Sequence, residues 1–351
     1  RFSSPDTTVT IRATAEFSDG SKRDVTSLAV YESSATFVAV SSLGVATGDR
    51  AGLTTVTVRY LDQQVPVRLE FVPERPDFVA AALEPANFVD ELVFRQLARL
   101  KINPSDVCDD TAFLRRVYLD LTGLLPTVEQ AQAFVTSTDT DKREKLIDQL
   151  LESPEFVDMQ TLRWADLLLV EEKTLDRKGV QVFHDWIHES FAKHKPLNQL
   201  AKEILEARGS TYNVPPANFY RALRVPEARG EATAQVLGIR LQCAKCHNHP
   251  FDRWTQDDYY GWSNFFGRVD YKIIENKRRD KSDKNEFVGE QIVLLKETGD
   301  VKNPTTGETA GLRYLGNLSN DASDSAGSSD DQGKPKLDRL QRIAEWMSSP
   351  D

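Results

Sequence analysis

Residues 72–76 read VPERP, and the sequence changes character on either side of them. Proline fixes its own φ and restricts the residue before it, so a strand or helix does not continue easily through this stretch. The hydrophobic period is close to two before it and close to 3.6 after it. We therefore predict a multidomain chain: an all-β domain over 1–73, a linker over 74–87 and a mainly α-helical domain over 88–268. Residues 269–351 are predicted to form an irregular extension with short strands and the start of a truncated C-terminal domain.

Upstream of the linker, apolar residues alternate with polar ones from Val9 to Phe17, which is typical of a half-buried strand. Further strands are predicted over 37–40, 54–60 and 65–71, with turn residues such as those at 18–21 between them. Several short strands separated by turns predict a small β-sandwich.

This segment resembles the bacterial immunoglobulin-like group 2 domain. The resemblance is carried by residues 17–21, 24–26, 33–34, 40–41, 44–48 and 52–58. It implies an immunoglobulin-like sandwich that serves as a spacer or adhesion module on an exported protein.

Downstream of the linker, a helical apolar stripe begins at Phe88. Thr127 and Gln130 fit a capping box at the start of one of the later helices. Those helices are predicted over 110–121, 127–134, 142–151, 156–170, 180–191 and 227–241. Beyond Arg268, residues 291–295 and 312–315 are expected to pair as strands, 277–281 to form a solvated loop, 318–335 to be flexible, and 337–347 to form a last helix.

The composition limits the classes of function. The 351 residues carry a net charge of −10 and a pI near 5.2, which argues against nucleic-acid binding. No apolar run approaches the roughly 20 residues of a membrane helix. The start at Arg1, without a Met or a signal-peptide core, is interpreted as a processed or trimmed end. Three cysteines are too few for a disulfide framework, and Cys108 is expected to be a lone thiol without a role.

The other two cysteines lie in residues 243–247, which read CAKCH. Two thiols at this spacing can reach both vinyl groups of one haem, and the next residue can place an imidazole nitrogen on the iron. We predict one haem c, bound covalently through two thioethers to Cys243 and Cys246, with His247 as the iron ligand.

Other chemistries use similar clusters. Zinc would take Cys243, Cys246, His247 and His249, although four ligands so close in sequence rarely close a tetrahedron. A redox dithiol normally opens a helix after a strand, whereas this motif follows a predicted helix. Reduced cysteines with a purely structural role are the remaining interpretation.

Residues 232–266, which include GIRLQCAKCHNHPF and WTQDDYY, resemble the cytochrome-like domain of large exported planctomycete and verrucomicrobial proteins. The segments FLRRVYLDLTGL (113–124), KPLNQ (195–199) and PPANFYR (215–221) match as well, so the resemblance covers about residues 86–270. It implies a helical domain with one covalent haem. A second domain usually follows in that family, and residues 340–351 resemble its beginning.

The distal ligand of the iron would decide between electron transfer and ligand chemistry. The candidates are Met159, His184, His188, His194, His249 and no ligand, with Met347 close to the end of the chain. His249 is expected to form a hydrogen bond or contact a propionate instead. His184 and His188, at i and i+4, could also chelate a separate metal. Residues that could surround the haem are Arg240, Lys245 and Arg253 for the propionates, and Phe251, Trp254, Tyr259, Tyr260, Trp262 and Phe265 for the walls.

These observations predict an exported monohaem protein that transfers one electron at a time. It is expected to be an electron carrier rather than an enzyme. The alternatives are a haem enzyme, such as a peroxidase or oxidase with an open distal site, and a structural or adhesive cell-surface protein that carries a haem. Covalent haem predicts a periplasmic, cell-surface or extracellular location. The expected partners are an unidentified redox protein and a cell-surface assembly or the missing C-terminal domain, with no nucleic acid and no transmembrane segment.

Overall fold

The structure, a computed structural model, describes residues 2–4, 7–61, 63–72, 74–250, 252–278, 288–316 and 338–349. The chain folds into two compact units. Unit 1 comprises Arg1–Val107 and Cys246–Thr255, and unit 2 comprises Cys108–Lys245 and Gln256–Asp351. The boundary between the units thus falls inside the CAKCH motif, between Lys245 and Cys246. The domain limits expected at residues 73, 87 and 268 remain a prediction.

Unit 1 contains short strands that pair in three small sheets. Their order is β1-β9-β8-β5 in a four-stranded sheet, β2-β7-β6 in a three-stranded sheet and β3-β4 in a two-stranded sheet. All pairs are antiparallel except β1 with β9. The strands are β1 Phe2–Ser4, β2 Thr8–Thr10, β3 Thr14–Glu16, β4 Lys22–Asp24, β5 Val30–Ser33, β6 Val38–Val40, β7 Val45–Gly48, β8 Gly52–Tyr60 and β9 Gln63–Phe71.

The prediction of an immunoglobulin-like sandwich was wrong. The alternating stretch from Val9 to Phe17 is not one strand: its two ends, β2 and β3, pair in different sheets. Between them the backbone N–H of Ile11 donates to the carbonyl of Gly44, and that of Ala13 donates to the hydroxyl of Thr26. Alternation of apolar and polar residues indicates which side chains are buried. It does not indicate which residue each backbone group pairs with. The result is a set of small sheets, of which the β8–β9 hairpin is the longest element.

The core of unit 1 is apolar and includes residues from more than one sheet. Val56 and Val58 of β8 pack with Leu69 and Phe71 of β9. Ala46 of β7 is fully buried in the same cluster. Helix α1, Phe88–Arg99, completes the unit and starts where the hydrophobic period changes. The Asn87 side chain caps this helix by accepting from the backbone of Val89 and Asp90.

Unit 2 is mostly helical. It also contains a small sheet of order β10-β12-β11. The helices are α2 Asp110–Thr122, α3 Val128–Thr136, α4 Lys142–Leu151, α5 Pro154–Leu167, α6 Glu172–Ala192, α7 Leu197–Leu205, α8 Asn218–Ala222, α9 Pro226–Val236, α10 Gln256–Ser263 and α11 Arg339–Ser348, and the strands are β10 Gly209–Ser210, β11 Val269–Ile273 and β12 Gln291–Leu295. In the part of the chain that the structure describes, no helix is both long and apolar enough to cross a bilayer.

Local signals located several of these helices correctly. The capping box is confirmed, because the Thr127 hydroxyl accepts from the Gln130 backbone and the Gln130 side chain accepts from the Thr127 backbone. Strand β12 exists as predicted, but its expected pairing with 312–315 was wrong. Its two edges are occupied by β11 and β10 instead. The segment 318–335 and the residues 279–281 of the charged run lie outside the described residues.

Candidate functional site around Cys243, Cys246 and His247

Helix α9 leads toward the motif and ends at Val236, not at Leu241 as predicted. Gly238 has a φ of 74°, in the left-handed region that favours glycine. Its N–H donates to the carbonyl of Gln235, and the N–H of Ile239 donates to the carbonyl of Ala234. These two hydrogen bonds form a Schellman motif, which ends the helix and turns the chain. Sequence periodicity alone continued the helix through the glycine.

Cys243 lies within a short turn, and Cys246 follows it directly. Residues Gln242–Lys245 form one turn of 3₁₀ helix, in which Ala244 is buried while Cys243 is exposed. Cys246 is exposed as well, and both thiols are free. The carbonyl of Lys245 accepts from the Tyr260 hydroxyl at 3.0 Å and from the Gln256 amide at 3.1 Å. The backbone is therefore held at Lys245 while both thiols remain accessible.

His247 is exposed, and one of its ring nitrogens is occupied. Its Nδ1 lies 2.7 Å from the carbonyl oxygen of Asn248. A carbonyl oxygen can only accept a hydrogen bond, so Nδ1 carries the proton in the neutral ring. Nε2 then keeps its lone pair, which is the form of imidazole that binds a metal. The local backbone thus selects the tautomer that an iron ligand needs.

The loop that follows His247 is held by the β8–β9 hairpin, within unit 1. The Thr57 hydroxyl donates to the carbonyl of Pro250, and the Gln64 amide donates to the carbonyl of His249. The backbone N–H of His249 donates a hydrogen bond of 2.7 Å to the carbonyl of Trp254, which closes the loop. Trp254 is buried. Sequence reasoning missed Thr57 and Gln64, since polar residues on a strand carry no signal of a partner so distant in the chain.

An open concavity of about 220 Å³ lies beside His247 in unit 1. Its lining contains both polar and apolar groups and carries charge of both signs: Glu32 and Arg59 form an ion pair there. Gln64 and Asn248 also line it. The imidazole therefore faces an open concavity that carries both charged and apolar groups.

Residues 88–271, more than half of the chain, match the family model PSCyt2, whose description reads protein of unknown function (DUF1549). The chain belongs to the PSCyt2 family. The match is to a family of unknown function and to no cytochrome family, so two expectations were wrong: membership of a cytochrome-like exported group, and a preceding immunoglobulin-like group 2 domain. The chain has no match among curated proteins.

The PSCyt2 match includes the whole CAKCH motif and the loop after it. It does not include Thr57 and Gln64, the two side chains of the hairpin that hold this loop. Within the described residues, no group of three or more His, Cys, Asp or Glu side chains is placed to hold a metal ion. The zinc interpretation, with Cys243, Cys246, His247 and His249, therefore has no geometric support in this PSCyt2 protein.

The candidate distal ligands on the helices have interactions inside unit 2. Met159 packs against Gly123, where an added Cβ would lie 2.9 Å from its sulfur. His188 Nε2 lies 3.3 Å from a carboxylate oxygen of Asp158, and His184 and His194 lie near acidic side chains at 3.6 and 3.8 Å. Met347 lines an apolar cavity with Trp164. His249 is half-buried in unit 1 and is part of the loop described above.

The residues expected to surround a haem have two different roles. Tyr259, Tyr260, Trp262 and Phe265 belong to the buried core of unit 2. Burial and a hydrogen bond to Glu231 raise the pKa of Tyr259 far above its usual value. Arg240, Lys245 and Arg253 are exposed, and the Arg253 guanidinium lies 4.5 Å from the ring centre of Trp254. Phe251 lies outside the described residues, and Cys108 is a free, half-buried thiol.

Proposed function

We propose that the protein is an exported electron carrier with one haem bound covalently to Cys243 and Cys246 and ligated by His247. The observation that carries this proposal is the geometry of His247: it follows the second cysteine directly, and its Nδ1 lies 2.7 Å from the Asn248 carbonyl oxygen, which can only accept a hydrogen bond. The donor set fits the group, because two free thiols and one imidazole lone pair are all exposed.

The cysteines and the histidine would have different roles in binding the haem. Each thiol would add across one vinyl double bond of the haem: the S–H bond would break, a C–S bond would form and the hydrogen would go to the neighbouring carbon. No atom is lost in this addition. His247 would hold the iron through Nε2, while the Asn248 carbonyl would fix the orientation of the ring. Bound haem would supply a ferric–ferrous couple for one-electron transfer.

Export is part of the proposal. Haem is attached to thiols of this kind in the periplasm or outside the cell, and a covalent link prevents its loss there. The proposed location and the proposed redox partner both depend on the haem, so the experiment that tests for haem tests them as well. Full-length protein directed to a bacterial periplasm with a haem-attachment apparatus should carry haem, and the same protein kept in the cytoplasm should not.

The decisive experiment measures intact mass and the pyridine haemochrome spectrum. We expect an increase by the mass of one haem, lost in the Cys243→Ala/Cys246→Ala double variant. Cys108→Ala is the matched control, since it removes the third thiol and should keep the haem. An unmodified mass with three titratable thiols, or a stoichiometric zinc ion, would overturn the proposal.

A spectrum of the loaded protein separates carrier from enzyme. A carrier with both axial positions filled is expected to show low-spin bands and no binding of carbon monoxide after reduction. High-spin bands and ready binding of carbon monoxide would indicate an open distal site and favour a haem enzyme. A loaded protein that exchanges no electrons with soluble donors would favour the structural surface protein.

A further inference from the structure

The side chain of Gln64 is connected to the imidazole of His247 through a single carbonyl group. The Asn248 carbonyl oxygen lies 2.7 Å from His247 Nδ1 and 3.4 Å from Gln64 Nε2. The same Gln64 nitrogen donates to the next carbonyl, that of His249. Because both partners are carbonyl oxygens, the NH₂ group of Gln64 and not its oxygen must face the loop. Its two hydrogens are thus used on two successive peptide groups.

The hairpin holds this loop at three successive carbonyls. Gln64 binds those of Asn248 and His249, and the hydroxyl of Thr57 donates to that of Pro250. Thr57 is almost fully buried, and the two strands that carry these residues are paired along their length. A rigid two-stranded element therefore fixes the orientation of the peptide that sets the tautomer of His247.

We propose that Gln64 is a positioning residue for His247, with Thr57 as its support. Gln64 orients the Asn248 carbonyl, the carbonyl keeps the proton on Nδ1, and Nε2 remains the ligand atom. The strands of unit 1 are then part of the site and not a passive spacer. The consequence at the iron rests on the proposed function; the effect on the imidazole does not.

The first test uses the haem-free chain and long-range ¹H–¹⁵N NMR of the histidine rings. We expect wild-type His247 to be mainly protonated on Nδ1. Gln64→Leu, which keeps the bulk but removes both donors, should increase the share of the Nε2–H tautomer. Gln63→Leu is the matched control, because Gln63 is exposed, lies next along β9 and lines the same concavity. An unchanged tautomer in Gln64→Leu, with an intact far-UV spectrum, would overturn the inference.

A second pair of variants keeps the proposal testable if Gln64→Leu does not fold. Thr57→Val removes the hydroxyl that supports Pro250, whereas Thr57→Ser keeps it. We expect the tautomer to shift in Thr57→Val and to be restored in Thr57→Ser. Equal tautomer ratios in these two variants and the wild type would count against the support role.

The loaded protein gives the last readout. Gln64→Leu should retain covalent haem at the wild-type level, because the cysteines are untouched, but should change the midpoint potential; Gln63→Leu should change neither. A tautomer shift without any haem attachment would refute the proposed function and leave the positioning of His247 intact. Haem attachment with an unchanged tautomer and potential in Gln64→Leu would support the proposed function and refute the positioning role of Gln64.

Discussion

The carboxylate of Asp176 lies 3.0 Å from Nη2 of Arg221, and both side chains are at most 4% exposed. The carboxylate also accepts from the Tyr212 hydroxyl at 2.7 Å and from the backbone of Gly179 and Gly289 at 2.8 Å each. Asp176 has a φ of 55° and a ψ of 171°, a conformation that is costly for a residue with a side chain. These contacts hold it there, at a kink in α6.

Removal of Arg221 should destabilise unit 2 strongly. Arg221→Met would leave a buried carboxylate without its counter-charge, and breaking a buried pair from one side costs about 3–5 kcal/mol. The urea midpoint followed by far-UV circular dichroism should fall accordingly. Lys193→Met is the control, because it breaks an exposed pair with Glu189 on the same helix and should leave the midpoint almost unchanged. Equal midpoints for the two variants would contradict this account.

Acid should remove the contribution of Asp176. Burial alone raises the pKa of Asp176, but hydrogen bonds from Gly179, Tyr212 and Gly289 and the charge of Arg221 outweigh it, so the pKa lies below 3.8. The unfolded chain then binds the proton more readily than the folded one, and stability present above the unfolded pKa is lost as the pH falls through the folded pKa.

The comparison that isolates this group is the wild type against Asp176→Asn, with unfolding free energy measured between pH 5 and 2. The variant cannot titrate, so its curve should be shallower, by up to about 1.4 kcal/mol per pH unit for one proton. Parallel curves would mean that Asp176 takes up no proton on unfolding in this range.

The capping box of α3 offers a test of local helix chemistry. Thr127→Ala should cost about 1 kcal/mol, because the backbone N–H of Gln130 loses its acceptor. Gln130→Ala should cost less, since it removes only the reciprocal bond. As the two bonds form one motif, the double variant should cost less than the sum of the single ones. Additive changes in urea midpoint would show that the two bonds act independently.

Helix positions followed from local signals, and sheet pairing did not. The start of α1 at Phe88 and the cap at Thr127 depend on residues within one turn of each other, which a sequence shows directly. The stretch from Val9 to Phe17 divides between two sheets because its partners lie far along the chain. The sandwich was therefore expected where only small sheets form.

The candidate site shows the same division. Spacing alone made Cys243, Cys246 and His247 the candidates, since the chemistry that they suggest needs only five consecutive residues, and their role stays a prediction. The contacts of Gln64 and Thr57 with the loop bridge 185 and 193 positions of sequence, and no local pattern could reveal them. Neither did periodicity locate the end of α9, which depends on the backbone conformation of Gly238.

Alanine substitutions at two glycines of unit 1 distinguish the cost of backbone strain from the cost of a steric contact. Gly20 and Gly44 have φ values of 79° and 74°, so alanine at either position adopts a left-handed conformation at a cost of about 1–2 kcal/mol. A Cβ at Gly20 would meet nothing within 4 Å, whereas at Gly44 it would lie 2.3 Å from the carbonyl oxygen of Ile11. Gly44→Ala must therefore displace the backbone at Ile11, whose N–H is bonded to the Gly44 carbonyl.

We expect Gly44→Ala to cost about 1–3 kcal/mol more than Gly20→Ala, the usual range for a forced contact in a packed region. Hydrogen exchange of peptides that contain Val56 and Val58 reports on this, since both residues lie in the core that includes Ile11. Their exchange should accelerate clearly in Gly44→Ala and only slightly in Gly20→Ala. Because both variants share the strained φ, similar acceleration in both would mean that the Ile11 contact relaxes without cost and that the β8–β9 hairpin is less tightly coupled to Ile11 than their common core implies.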